Sequence, residues 1–283
     1  MTSATTASRR PIRVTPGELA SDGAGVRLRR LMGTPHSPSI DPFLLLDYFD
    51  SPNATDYLAG FPEHPHRGFE TVTYMLAGRM RHRDNRGHEG VIEPGGVQWM
   101  TAGRGIVHSE MPEQTEGLMR GFQLWVNLPA RLKMSAPAYQ EYGPETIPTE
   151  TRDGATVKVI AGRTSRGTAG PIATAATEAF YFDIVLGAGA SFAEPIDPAH
   201  SAFVVVYQGA LRIGERAQAV QAVALAALGG GDSVALTAVD APARALLVGG
   251  RPLREPVAWY GPFVMNSERE IVQAINDYQA GRF

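Results

Sequence analysis

Apolar residues along this chain come in short runs separated by turn-forming residues. From "PIRV" (residues 11–14) to about Asn127 these runs are "DPFLLLDYF", "FETVTYML", "RMRHR", "GVIEP", "VQWMTA", "IVHSEM" and "FQLWVNL". Each has the length and the β-branched and aromatic content of a strand. Between the third and fourth, "DNRGHEG" carries an Asp-Asn-Arg-Gly tetrad suited to a hairpin turn. Residues 129–154 hold four prolines and little periodicity, which places a domain boundary there. A second series follows: "TVKVIAG", "FYFDIVL", "SAFVVVYQG", "ALRIG", "SVALTA" and "ARALLVGG". Regular short strands of this kind predict a sandwich or barrel. The chain then changes character. "NSEREIVQAINDYQAGRF" has a capping-box pair, Ser267 and Glu270, and an apolar face at Ile271, Ala274, Ile275 and Tyr278, which predicts one amphipathic helix stopped near Gly281.

The two strand series read as a duplication. "YMLAGRMR" leads to "EPGGVQWMTA" in the first and "VVYQGALR" to "LGGGDSVALT" in the second. Setting Gly78 on Gly209, and Gly95 on Gly230, places Pro195 and Asp197 opposite His64 and His66, and Ala243 and Ala245 opposite His108 and Glu110. On this superposition only the first half keeps a polar constellation. The expected division is residues 1–130 for a first domain, 131–154 for a linker, and 155–283 for a second domain without metal ligands, together with the terminal helix.

Composition narrows the chemistry. The 283 residues are enough for two cores of ordinary size, and 31 glycines and 21 prolines scattered among apolar runs suit a turn-rich all-β protein. A net charge of -3 offers no general attraction for phosphate backbones or anionic lipid, so neither direct nucleic-acid binding nor a membrane partner is expected. With no cysteine, thiolate metal sites, disulfides and thiol nucleophiles are excluded. The opening residues lack an apolar stretch before a cleavage site, and the expectation is a soluble, cytoplasmic protein with a short disordered tail.

The constellation itself is "HPHRGFET", residues 64–71, and "RGIVHSEMP", residues 104–112. Side chains of a strand alternate between faces, so His64 and His66 project from one face, about 7 Å apart along the chain. His108 and Glu110 repeat the i, i+2 spacing. Two such pairs meeting inside a barrel offer three imidazoles and one carboxylate, a sulfur-free set suited to Fe(II), Mn(II), Co(II), Ni(II) or Cu(II), with two positions of an octahedron left for substrate. Glu70, four residues after His66, competes for the carboxylate position.

"FPEHPHRGFETVTYMLAG" resembles the first cupin motif in the form it takes in pirins, and "GVIEPGGVQWMTAGRGIVHSEMP" resembles the pirin form of the second. "DPFLLLDYF" and the C-terminal "EPVAWYGPFVMNSEREIVQAINDYQAGRF" extend the likeness over nearly the whole chain. The resemblance implies an all-β bicupin: two cupin β-barrels with a C-terminal amphipathic helix and a metal in the first barrel only. It implies His64, His66, His108 and Glu110 as ligands, which sets Glu70 aside. Fe(II) is the implied ion, with Mn, Co, Ni, Cu or Zn as further ions the set would accept.

Two activities follow from the resemblance. One is a dioxygenase that cleaves a flavonol such as quercetin with dioxygen, resembling quercetin 2,3-dioxygenase. There Glu110 is the base, because coordination through one oxygen leaves the other free. The alternative is an iron-dependent, redox-sensing regulatory module whose partner is a transcription factor or metabolic enzyme. Gln98, Met100, Arg67 and Arg104 are the candidates for the mouth of the site. His82 and His88, flanking the hairpin turn, are expected to be exposed, as are His36 and His200.

Overall fold

The computed structural model describes residues 7–214 and 219–283. The chain forms two compact units. One comprises Glu18–Thr146 and Leu253–Phe283; the other comprises Met1–Gly17, of which residues 7–17 are described, and Ile147–Pro252. Each is built from one seven-stranded and one four-stranded antiparallel sheet. These are cupin-like β-sandwiches and not the closed barrels expected, because the two sheets of a unit remain separate ladders.

In the first unit the large sheet runs in the order Ala138–Tyr142, Val97–Thr101, Phe69–Ala77, Met119–Asn127, Phe43–Ser51, Val26–Met32 and Glu18–Asp22. Its small sheet runs Phe61–His66, Ile106–Pro112, Met80–Asp84 and Glu89–Ile92. In the second unit the large sheet runs Pro11–Pro16, Ala224–Leu228, Ser201–Gln208, Ala243–Gly250, Phe180–Leu186, Ala155–Ala161 and Thr149–Arg152. The small one runs Ser191–Pro195, Ser233–Ala238, Ala210–Ile213 and Ala219–Gln221. Strand for strand the orders correspond, so the duplication is structural.

Register refines the superposition. Gly78 and Gly209 occupy matching hairpin turns, but Gly230 follows Ala224–Leu228, whose counterpart is Val97–Thr101, so it cannot match Gly95. Glu110 stands opposite His82, and in the second unit Leu236 stands opposite Ile213. The residues that replace His108 and Glu110 are therefore Val234 and Leu236, not Ala243 and Ala245. On the same ladder Glu194 and Ile196, not Pro195 and Asp197, replace His64 and His66. Val234, Leu236, Ile213, Phe192 and Ile196 belong to one buried apolar cluster, while buried Glu194 accepts from Arg152 and from the Ser165 amide, so the ligand set is not repeated.

Directly opposed residues of an antiparallel ladder share a face. Across the large sheet of the first unit one such rung reads Arg30, Asp47, Gln123, Thr73, Gln98 and Glu141. Setting Thr73 on Val204 through the matched glycines, the corresponding rung of the second unit reads Val159, Phe182, Leu247, Val204 and Ala226, all buried, and ends at exposed Val14. One topology thus carries a polar rung in one copy and an apolar rung in the other.

The chain partitions differently from the division into residues 1–130, 131–154 and 155–283. Strand Pro11–Pro16 pairs with Ala224–Leu228 and completes the second unit. Arg9, 2% exposed, anchors its start by donating to the carbonyls of Gly231, His200 and Asp197. Residues 1–6 of the expected tail lie outside the described residues. The expected linker is itself structured: Ala138–Tyr142 is the edge strand beside Val97–Thr101, and Thr149–Arg152 pairs with Ala155–Ala161.

The C-terminal segment belongs to the first unit. Helix Glu268–Gln279 starts at Ser267, whose side chain accepts from the Glu270 backbone, and it buries Ile271 and Ala274 with Phe263 and Met265. Arg67, also buried, donates to Asp277 at 2.8 Å and to the Arg104 carbonyl, while its guanidinium lies over the Phe283 ring. This segment braces the turn after His66. Gly68 has φ +90°, and a Cβ there would lie 2.0 Å from the Val264 carbonyl oxygen. Lys133, 1% exposed, donates to the carbonyls of Gly68 and Val264 and to Asn127 Oδ1.

Burial lowers the Lys133 ammonium to about 8. Lys133→Met would leave three buried acceptors unpaired, and it should destabilise this unit by on the order of 3 kcal/mol at neutral pH. Because the unfolded lysine holds its proton to higher pH than the folded one, the contribution of Lys133 is smaller below about 8 and grows as pH rises toward 10.5. Urea unfolding of wild type and variant across that window should show the gap between them widening. A gap that narrows would contradict this assignment.

Candidate metal centre

Strand Phe61–His66 supplies His64 and His66, and the neighbouring strand Ile106–Pro112 supplies His108 directly opposite His64. Donor nitrogens of His64, His66 and His108 all lie within 4.8 Å of one another. The His64 and His66 Nε2 atoms are 3.0 Å apart, and the ring centroids of His64 and His108 are 4.5 Å apart. The i, i+2 spacings thus bring together the imidazoles they were expected to bring together. Phe69 and Trp125 pack against His66 at centroid distances of 5.0 and 5.2 Å.

His66 and His108 are held neutral. Burial, reinforced by the neighbouring His64 and His108 and opposed by the Pro262 carbonyl, lowers His66 well below the ordinary histidine range. Burial is also the largest cause bringing His108 down to about 4, against the pull of Glu110. A neutral imidazole presents one lone pair. His64 Nδ1 lies 2.8 Å from the Pro62 carbonyl, which can only accept, so its proton sits there and Nε2 faces the other rings bare. Both nitrogens of buried His108 lack a hydrogen-bond partner. Converging lone pairs and an orphaned buried imidazole are what a cation would satisfy, and the donor set fits a divalent transition metal.

Glu110 is 1% exposed and stands beside this group, outside the 4.8 Å cluster. Thr73 donates to its Oε1 at 2.8 Å, and Gln123 donates to its Oε2 at 2.7 Å. Each oxygen keeps a second lone pair for a cation or a proton. Glu70 is turned away. Thr73 faces Glu110, and strand alternation puts Glu70, three residues earlier, on the opposite face, where Thr101 donates to it and burial raises its carboxyl. The parity counted from His66 fails because the chain turns at Arg67–Gly68 between the two strands.

A cavity of about 630 Å³ opens over His64, His66 and Glu110. Its walls include Phe61, Trp125, Trp259 and Gln123, together with Arg30, which pairs with Asp47 through two hydrogen bonds of 2.8 Å. None of the four residues expected at the mouth lines it. Arg67 is committed to Asp277, Gln98 reaches toward Glu141, and Met100 packs with Ala102 and Ile106. Arg104 is exposed, and its carbonyl accepts from Arg67. The residues that do line it were signalled by polar positions in strand runs, Asp47 within "LLLDYF" and Gln123 within "FQLWV".

His82 also departs from expectation. It is 1% exposed, because Met80, His82 and Asp84 share the inner face of their strand while Arg81 and Arg83 point outward. The apolar Met80 two positions earlier carried that signal. His36 is exposed as expected, but His200 is only 10% exposed at its side chain.

Two family descriptions match the chain, "Pirin" over residues 25–126 and "Pirin C-terminal cupin domain" over residues 181–283. A pirin-like protein of Caulobacter vibrioides is 59% identical over 97% of this chain and 99% of its own length. A Pseudomonas aeruginosa protein named as a proposed quercetin 2,3-dioxygenase is 53% identical over 94% of each chain. Among solved structures, a quercetin 2,3-dioxygenase from Acinetobacter baumannii superposes with a TM-score of 0.88 at 34% identity, covering 98% of this chain and 99% of that one. Among the described residues no helix is long and apolar enough to cross a membrane. With both cupin units matched and the likeness extending over almost its full length, the chain belongs to the pirin family.

Proposed function

We propose that this protein is an Fe(II)-dependent dioxygenase that opens the central ring of a flavonol-type substrate, with quercetin as the accessible representative. The observation that carries the proposal is the placement of three converging imidazoles and one buried carboxylate at the base of an aromatic-walled cavity. The quercetin 2,3-dioxygenase names of two of the relatives agree with it.

His64, His66, His108 and Glu110 would hold the ion. Bound there, it would supply the Lewis acidity and oxygen activation that ring cleavage needs. The rest falls to the chain. Phe61, Trp125 and Trp259 offer flat apolar surface to a planar polyphenol, and its volume suits a ligand of that size. Glu110 takes the proton of the substrate hydroxyl. Thr73 and Gln123 fix the carboxylate in place, which removes the reorientation an unrestrained side chain would need. Arg30, shared between Asp47 and Asp22, can hydrogen-bond a substrate oxygen without standing as an unpaired cation in the cavity.

The deciding experiment measures oxygen uptake by Fe(II)-loaded protein with and without quercetin. Uptake that depends on quercetin in wild type and disappears in His64→Ala along with its iron is the expected result. Absence of uptake in wild-type protein shown to hold iron would overturn the proposal. Glu110→Gln should lower kcat by roughly 10²–10⁴-fold where it still retains iron, and unchanged turnover would remove the base role. Trp259→Ala, which removes a cavity wall and none of the expected ligands, should raise KM several-fold with a smaller effect on kcat; an equal fall in kcat and kcat/KM would place Trp259 in the chemistry and not in binding.

A further inference from the structure

A second group of side chains with metal-ligating chemistry gathers around His82, on the inner face of the small sheet, from the following turn and from the edge of the large sheet. His82 lies opposite Glu110 across the ladder between Met80–Asp84 and Ile106–Pro112, yet its ring turns to the other end of the polar rung, toward Glu141. His82 Nε2 is 3.0 Å from Glu141 Oε1, and His88 Nε2 is 3.4 Å from Glu141 Oε2. Donor atoms of these three residues all lie within 4.8 Å of one another. They share no residue with His64, His66, His108 and Glu110.

We propose that His82, His88 and Glu141 form a second site for a divalent transition cation. The buried His88 Nε2 makes no hydrogen bond, although a carboxylate oxygen stands near it. Space has also been kept between the donors. Gly90, opposite His82 in the ladder, does not have the positive φ that would require glycine, but a Cβ there would lie 2.6 Å from His82 Nε2 and 2.9 Å from Glu141 Oε1. Any side chain at residue 90 would fill the place where the donors converge.

The surroundings fix the donors rather than leaving them on a mobile loop. Tyr139 stacks on His88 with ring centroids 4.1 Å apart and donates its hydroxyl to Asp84 Oδ2. Asp84 Oδ1 accepts from the backbone amides of Arg86 and His88, which closes the turn that carries His88. Gln98 donates to Glu141 Oε2 at 3.4 Å. His82 is 1% exposed, while the His88 and Glu141 side chains are 40% and 26% exposed, so an ion has a route in from solvent and water can complete its coordination. Two imidazole nitrogens and one carboxylate select Zn(II), Co(II), Ni(II) or Fe(II) over the hard oxygen-seeking Mg(II) and Ca(II). Because Glu141 lies on the edge strand Ala138–Tyr142 and the histidines flank the hairpin turn, an ion here would pin that strand to the hairpin.

Metal-free full-length protein should be titrated with Co(II), following heat and visible absorption together. Wild type is expected to bind two equivalents. His88→Ala and Gly90→Val should each bind one, and His108→Ala should bind one with the spectrum of the site that the other variants lack. Co(II) should also raise the Tm of His108→Ala and leave that of the His88→Ala/His108→Ala double variant unmoved. A stoichiometry the same in wild type, His88→Ala and Gly90→Val would overturn the proposal, with His88→Ala, altered at a partly exposed position, serving as the folded control. If His88→Ala loses its equivalent while His108→Ala matches wild type, the second site stands and the imidazole centre proposed above fails.

Discussion

A polar group inside a sheet is stable only when every donor and acceptor has a partner, and in the first unit that requirement runs across the whole large sheet. Arg30, Asp47, Gln123, Thr73, Gln98 and Glu141 occupy one rung on one face. Arg30 pairs with Asp47 and Gln98 with Glu141, while the central Thr73 and Gln123 both donate to Glu110. The rung also reaches the facing small sheet, where Thr73 and Gln123 together hold Glu110 and Glu141 meets His82. Removing a central member would strand partners on both sides.

The second unit shows what the same topology does without that constraint. Its equivalent rung is valine, phenylalanine, leucine, valine and alanine, and its small sheet offers Ile213, Val234 and Leu236 where the first has His82, His108 and Glu110. Apolar packing fills this rung, and the carboxylate of Glu194, at the position of His64, is taken up by Arg152 and the Ser165 amide. Function therefore resides in which side chains line one face of a shared architecture, in keeping with the general separation of fold from site.

Much of this was legible in the residues. The strands announced themselves through alternation and turns, the terminal helix through its cap, and the imidazole group through paired spacings that survive any register. Other features need three dimensions. Lys133 looks like one more basic residue in a proline-rich stretch, and only the fold reveals that its ammonium meets carbonyls from Gly68 and Val264. The alanine-rich run around Ala224–Leu228 has weak strand character by composition, yet it pairs with Ser201–Gln208 and with the N-terminal strand. Glu70 misled by parity because a turn at Gly68 resets the alternation. The rung itself was invisible, since its members come from separate strands whose register no single run specifies.

The partition of the chain also bears on the order of events during synthesis. Turn Arg67–Gly68 beside His66 is braced by residues 262–277, which are made after the whole of the second unit. The second unit needs only residues up to Pro252, so it has its full complement of strands while the first still lacks its brace. Vectorial folding, in which the N-terminal portion of a chain matures ahead of the rest, is thereby reversed for the unit that carries the candidate metal centre. The turn beside His66 takes its final form only after the strands of the second unit have been made.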